Sequence, residues 1–108
     1  MILSDTNIII YLLQGDKAIA DLFDQNSIAI SFITELELLS AKAYTKGQEE
    51  KIHEILREFA IYEYNNLIKA ASITLRRKYN LKLPDAIIAA TAFVYKLPLL
   101  TSDMHLQE

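Results

Sequence analysis

The feature that most constrains the fold is an alternation of short apolar runs with longer helical segments along the 108-residue chain. Four runs have the length and composition of buried strands: residues 2–4, 27–31, 60–62 and 97–103. Strands that alternate with helices predict a parallel sheet with helices on both faces. In such folds, ligands bind beyond the carboxyl ends of the strands.

The segments between these runs have helical character. Residues 48–59 repeat apolar side chains at the spacing of one helix face, which predicts an amphipathic helix. Residues 8–13 are apolar almost all round, so periodicity alone leaves helix and strand both open there. The other predicted helices span residues 17–24, 33–44, 65–79 and 84–96. Thr34 is the residue expected to open the helix at 33–44.

The composition excludes several classes of protein. The chain is 52% hydrophobic and 23% charged, which is typical of a globular domain. It contains no cysteine, which excludes disulfides, thiolate metal sites and cysteine nucleophiles. Its two glycines cannot form a glycine-rich phosphate loop. No apolar run approaches the roughly 20 residues that a membrane span needs. We therefore expect a cytoplasmic protein that does not enter a membrane.

Four carboxylates from distant segments are predicted to converge at one edge of the sheet. Asp5 follows the first strand and Asp103 follows the last one, so both lie where parallel strands end. Glu37 and Asp85 lie in the first turns of helices that begin at the same edge. Crowded carboxylates repel one another, and a divalent cation with oxygen ligands, such as Mg²⁺ or Mn²⁺, removes that repulsion.

Each acid also has a purely structural interpretation. Asp5 is suited to cap the following helix, and Thr34 with Glu37 has the T-x-x-E spacing of a capping box. Asp85 fits the positive end of a helix dipole, and Asp103 fits a turn. Four independent caps have no reason to share one edge, so the combination favours a site although each residue alone does not.

Four motifs in order resemble those of PIN-domain ribonucleases, most closely the VapC-like toxins of toxin–antitoxin pairs. They are DTN at 5–7, SFITELELL at 31–39, LPDAIIAATA at 83–92 and LPLLTSD at 97–103. The resemblance covers essentially the whole chain. It implies an α/β, three-layer PIN-like fold whose central parallel sheet has four strands, or five, with helices on both faces. It also implies that residues 8–13 form a helix.

The resemblance further implies a Mg²⁺- or Mn²⁺-dependent endoribonuclease that hydrolyses RNA phosphodiester bonds as the toxin of a toxin–antitoxin system. Its motifs match Asp5, Glu37, Asp85 and Asp103 as catalytic and metal-binding residues, with Glu37 rather than Glu35 as the acid of the second motif. The implied partners are the RNA substrate, a cognate antitoxin and a second copy of the chain in a homodimer.

Other polar residues are candidates for supporting roles. The hydroxyl and amide groups near the acids are expected to bind the carboxylates, metal-bound water or phosphate, or else to serve as helix-start and turn residues. They are Thr6, Asn7, Thr101 and Ser102. The net charge of −3 argues against binding nucleic acid through the overall field, so a local basic rim is required. The densest basic cluster is Arg76, Arg77, Lys78 and Lys82, predicted to contact RNA phosphates or, alternatively, a helix end and solvent.

Family members usually continue into another strand after the last acidic motif, whereas this sequence stops at Glu108. We therefore expect a single PIN-like domain over residues 1–108 that lacks the C-terminal strand. This leaves a second hypothesis, a degenerate PIN module without activity that acts as a binding partner. The presence of all four acids favours the nuclease. A receiver-like phosphoryl-transfer domain is disfavoured, because no paired acids follow the first strand.

Overall fold

A computed structural model describes residues 1–42 and 44–102, in which strands and helices alternate as expected. In chain order the elements are β1 (Ile2–Ser4), α1 (Thr6–Leu13), α2 (Lys17–Gln25), β2 (Ile28–Ser31), α3 (Phe32–Ser40), α4 (Lys46–Glu58), β3 (Ala60–Tyr62), α5 (Asn66–Tyr79), α6 (Leu83–Tyr95) and β4 (Leu99–Leu100). None of these helices is long and apolar enough to cross a membrane. The predicted acid Asp103 lies outside the described residues.

The four strands form one sheet in the order β3-β2-β1-β4, and every neighbouring pair is parallel. Leu3 in β1 lies between Ala29 in β2 and Leu99 in β4. Because β1 is an inner strand, the residue that follows it, Asp5, lies near the middle of the carboxyl edge. This placement confirms the predicted α/β fold.

Two apolar clusters on opposite faces of the sheet make the fold three-layered. The first joins α1, β2, α3 and α4 and contains Ile9, Ile30, Leu38, Ile52 and Leu56. The second joins β1, β2 and α6 and contains Leu3, Ala29, Ile88 and Ala92. The adjacent residues Ala29 and Ile30 point into different clusters, as successive strand side chains must. Each buried Ile or Leu contributes about 1.5–3 kcal/mol, so the clusters hold α1, α3 and α6 against the sheet.

The helix in the second motif begins and ends earlier than predicted. Ser31, not Thr34, is its N-cap, and the Ser31 hydroxyl accepts a hydrogen bond of 3.1 Å from the Ile33 amide. The helix ends at Ser40 rather than at residue 44. The C-cap residue Ala41 takes an extended conformation, which ends the helix there. Tyr44 then packs against the first apolar cluster, and Thr45 is the N-cap of α4.

The last strand is shorter than the predicted 97–103, since β4 contains only Leu99 and Leu100. The Asp5 amide still donates to the Leu100 carbonyl at 3.0 Å. Beyond that point, Thr101 and Ser102 turn toward the Asp5 side chain instead of continuing the ladder. Their polar groups therefore belong to the edge of the sheet where the acids lie.

Candidate active site

The Asp5 carboxylate both caps α1 and receives hydrogen bonds from the segment that follows β4. Its Oδ1 accepts a hydrogen bond of 2.9 Å from the Ile8 amide, which caps α1. Its Oδ2 accepts bonds from the Thr101 hydroxyl at 2.5 Å and from the Ser102 amide at 3.3 Å. Only 5% of Asp5 is exposed. Both oxygens are thus oriented by donors from the beginning and the end of the chain.

Glu37 is held by the neighbouring helix α1. The Thr6 hydroxyl donates to Glu37 Oε1 at 2.7 Å and lies 3.0 Å from the hydroxyl of Thr34. The alternative of a capping box formed by Thr34 and Glu37 is wrong, because Ser31 caps the helix. Glu37 lies farther along α3, beyond the first turn. Its carboxylate therefore bonds to Thr6 of another helix instead of capping its own helix.

Asp85 reaches the same region from α6. Leu83 and Pro84 occupy the first two positions of that helix, where the missing amide hydrogen of proline has no intrahelical partner to lose. Asp85 is the third residue and is half-buried. The positive end of the helix dipole favours a negative charge at this position. The side chain of the N-cap residue, Lys82, makes no capping hydrogen bond.

These three acids line one cavity of about 250 Å³ at the carboxyl edge of the sheet, although they come from the β1–α1 junction, α3 and α6. Sequence separation is largest between Asp5 and Asp85, so only the tertiary fold brings them together. The other polar or aromatic residues that line the cavity are Thr6, Asn7 and Tyr44. The convergence expected of Asp5, Glu37 and Asp85 is therefore present, and the fourth acid, Asp103, falls outside the described residues.

The cavity has the donor chemistry of a site for a hard cation. Its polar lining consists of carboxylate, hydroxyl and amide oxygens, the ligand types that Mg²⁺ and Mn²⁺ prefer. Within residues 1–42 and 44–102, no group of three or more His, Cys, Asp or Glu side chains is arranged to hold a metal ion. The described residues thus supply a suitable lining without a closed coordination sphere.

The four basic residues lie outside this cavity, around the junction of α5 and α6. Arg77 and Lys78 are exposed in the last turn of α5, and the Lys78 ammonium lies 5.3 Å from the centre of the Tyr79 ring. Arg76 Nε donates to the Leu81 carbonyl at 3.3 Å and so braces the turn between the helices. Lys82 is exposed three residues before Asp85.

Two residues of this region were not predicted to take part. Thr34 is fully buried and interacts with Thr6, whereas its T-x-x-E spacing had indicated only a cap. Tyr44 lines the acid cavity from the loop after α3, and no sequence pattern marks it. The contacts of both residues depend on which helices pack together in the tertiary structure, and the sequence pattern does not show this.

A larger groove of about 820 Å³ lies elsewhere, between α5 and α6. Its lining within the described residues includes Leu67, Leu75 and Phe93 and no carboxylate. Size therefore does not identify the candidate site, since the acids line the smaller cavity.

Comparison with known proteins identifies relatives of this architecture. The family model for the PIN domain matches residues 2–108. No curated protein sequence gives a significant match. Proteins with PIN domains are typically metal-dependent nucleases that use divalent ions.

Solved structures with the same fold come from toxin–antitoxin systems. A toxin–antitoxin complex from Klebsiella pneumoniae contains a chain 39% identical to this one, with a TM-score of 0.85 over 95% of this chain and 87% of that chain. FitAcB from Neisseria gonorrhoeae is 25% identical, with a TM-score of 0.79 over 98% and 90% of the two chains. VapBC2 from Rickettsia felis, bound to a promoter DNA fragment, is 23% identical with a TM-score of 0.81 over 96% and 89%, and shares the fold.

Proposed function

This chain belongs to the PIN-domain family, and from that premise we propose that it is a VapC-like toxin that hydrolyses RNA phosphodiester bonds with Mg²⁺ or Mn²⁺. The single observation that carries the proposal is the cavity shared by Asp5, Glu37 and Asp85. Capping does not explain why three acids from three segments line one cavity, since Glu37 lies beyond the first turn of α3 and bonds to Thr6 of another helix. We include Asp103 as the fourth acid on the strength of its motif.

In this proposal, the residues of the site have three roles: holding the metal ion, orienting its ligands and contacting the substrate. Asp5, Glu37, Asp85 and Asp103 would hold the divalent ion, which supplies activation of water and stabilisation of negative charge when bound. Thr101 and Ser102 orient Asp5 through its Oδ2. Thr6 orients Glu37 through Oε1. Asn7 lines the cavity and is exposed, which suits it to contact a phosphate oxygen of the substrate.

Basic residues at the junction of α5 and α6 compensate for the acidic net charge in this proposal. Arg77, Lys78 and Lys82 are exposed near the start of α6, the helix that carries Asp85. We assign them, with Arg76, to contacts with RNA phosphates flanking the scissile bond, since phosphate contacts position a nucleic acid without specifying its sequence. Arg76 also braces the turn before α6, so its substitution would affect the structure as well.

The toxin–antitoxin complexes among the structural relatives support a protein partner. We propose a cognate antitoxin that keeps the nuclease inactive, and a homodimer as the toxin's own assembly. We also propose that the protein acts in the cytoplasm, where RNA is available, as one PIN-like domain over residues 1–108.

The test is cleavage of a mixed RNA pool by the purified full chain. We expect cleavage with Mg²⁺ or Mn²⁺ and none with EDTA. Glu37→Gln keeps the size of the side chain but removes its charge, and we expect at least about a hundredfold loss of rate, the range for loss of a charge-stabilising group.

The matched control is Glu35→Gln, two residues away on the same helix and outside the cavity. It should retain the wild-type rate. A folded wild-type chain that cleaves no RNA with either ion would contradict the proposed function and favour a non-catalytic binding module.

A further inference from the structure

A chain of three polar side chains extends from the interior to Glu37. Thr34 is fully buried, with 0% of its surface exposed. Its hydroxyl lies 3.0 Å from the Thr6 hydroxyl, which in turn lies 2.7 Å from Glu37 Oε1. The chain links α1 to α3 and ends on an acid that lines the cavity.

The number of protons available fixes the direction of the two hydrogen bonds. An ionised carboxylate only accepts, so Thr6 must donate its single hydroxyl proton to Glu37. The contact between the two threonines then requires the Thr34 proton. Among residues 1–42 and 44–102, Thr6 is the hydrogen-bond partner that the structure provides for Thr34. The order is therefore Thr34 to Thr6 to Glu37.

Three hydroxyl groups in the interior of other helices behave differently. Ser72, Thr74 and Thr91 each donate to the backbone carbonyl four residues earlier in their own helix. Such back-bonding is the usual arrangement for serine and threonine inside helices. Thr34 instead directs its hydroxyl to another helix. Thr34 is the third residue of α3, and the residue four positions earlier, Ile30, lies in β2, so its helix offers no such carbonyl. A fully buried threonine whose hydroxyl is instead directed to a hydroxyl next to a carboxylate points to a role in the site.

We propose that Thr34 is a positioning residue that fixes the orientation of Glu37 through Thr6. This inference rests on the proposed nuclease function, because it assigns Glu37 a task that needs a fixed orientation. A hydroxyl that accepts a hydrogen bond becomes a stronger donor, so Thr34 strengthens the bond from Thr6 to Glu37. Asp5 is oriented without such a relay, by the backbone amides of Ile8 and Ser102 and directly by the Thr101 hydroxyl.

The decisive experiment compares Thr34→Val with Thr34→Ser in the full chain. Valine keeps the shape and removes the hydroxyl, whereas serine keeps the hydroxyl. We expect Thr34→Val to lower kcat for RNA cleavage and to weaken the binding of Mn²⁺ alone by about tenfold each, as is typical when a group that orients a metal ligand is lost. Thr34→Ser should restore both to within about threefold of wild type, because it retains the donor.

Thr91→Val is the matched control for loss of a buried hydroxyl. Thr91 is also 0% exposed, and its hydroxyl donates to the Ile87 carbonyl at 2.8 Å, away from the acids. It should alter thermal stability about as much as Thr34→Val while leaving kcat and Mn²⁺ affinity unchanged. Equal kinetic behaviour of the two valine variants, or failure of serine to rescue, would overturn the positioning role.

A structural measurement separates this inference from the proposed function. Crystal structures of wild type and Thr34→Val should show the Glu37 carboxylate displaced in the variant. If the wild-type chain neither cleaves RNA nor binds Mn²⁺, the proposed function fails, and a displaced carboxylate still supports the positioning role. A Glu37 side chain that superimposes in both structures would overturn it, whatever the activity.

Discussion

The beginnings of α1 and α2 use the same device in different surroundings. Asp5 caps α1 by accepting from the Ile8 amide at 2.9 Å, and Asp16 caps α2 by accepting from the Ile19 amide at 3.1 Å. Asp16 is exposed, whereas Asp5 is 5% exposed. Capping is thus a local property that both residues share, and it does not indicate which of them belongs to a site.

The difference lies in the second carboxylate oxygen. Asp5 Oδ2 receives donors from Thr101 and Ser102, which are almost the whole described chain away in sequence. Asp16 accepts the one capping bond from its own helix. A cap that also collects donors from a distant strand end is thereby identified as part of a tertiary site.

The largest expected difference between the two caps is in catalysis. Asparagine caps helices as well as aspartate does, so Asp5→Asn removes the charge and keeps the cap. We expect Asp5→Asn to reduce RNA cleavage by at least about a hundredfold, as for loss of a charge-stabilising group. Asp16→Asn should cleave at the wild-type rate. Comparable activity of the two variants would contradict a catalytic role for Asp5.

Metal binding should likewise depend on Asp5 and not on Asp16. A ligand that binds only the folded state stabilises it by about 2.7 kcal/mol at a free concentration one hundred times its Kd. We expect Mn²⁺ to raise the Tm of wild type and of Asp16→Asn, and to have little effect on Asp5→Asn. Differential scanning fluorimetry with and without EDTA measures this. An equal rise in all three proteins would place the metal elsewhere.

Loss of the Thr101 hydroxyl, which donates to Asp5, should lower activity less than loss of the Asp5 charge. Thr101→Val removes the hydroxyl that binds Oδ2, and we expect about a tenfold loss of activity, the range for groups that orient a metal ligand. A buried acceptor that loses its donor costs about 1–3 kcal/mol, so the free energy of unfolding should fall as well. Thr74→Val is the control, because Thr74 is exposed and its hydroxyl donates to the Ala70 carbonyl of its own helix. Urea denaturation and a cleavage assay report the two effects.

The smallest effect is expected at the exposed cap. Asp16→Ala removes the capping acceptor of α2, which typically costs about 1 kcal/mol of stability. Because α2 contributes no acid to the cavity, cleavage at a temperature well below the Tm should be unchanged. A loss of activity with an unaltered Tm would mean that α2 takes part in the site.

Much of the fold was predictable because its determinants are local. The apolar runs at Ile2–Ser4 and Ile28–Ser31, and the helical spacing in Lys46–Glu58, specify their elements directly. The second-motif helix was misplaced because Ser31, which ends a strand, also caps the following helix. The predicted length of β4 was too great, because Thr101 and Ser102 bind the Asp5 side chain instead of a neighbouring strand.

The candidate site was predictable only in part. Strand ends and helix starts place Asp5, Glu37 and Asp85 at one edge, since parallel topology orients all of them alike. The connection from Thr34 through Thr6 to Glu37 was not predictable, because it requires α1 and α3 to meet at a particular angle. The bond from Arg76 to the Leu81 carbonyl is equally hidden, because a cluster of basic letters does not show which member folds back onto the chain.

The contact between Asp5 and Thr101 has a consequence for the order of events during synthesis. Asp5 is made well before residues 101 and 102, and its Oδ2 receives their two hydrogen bonds only after both have emerged from the ribosome. The sheet likewise lacks the neighbour of β1 on that side until Leu99 and Leu100 are made. A growing chain therefore carries an unfinished acidic pocket, and any activity that depends on this contact begins only after residues 101 and 102 have been translated.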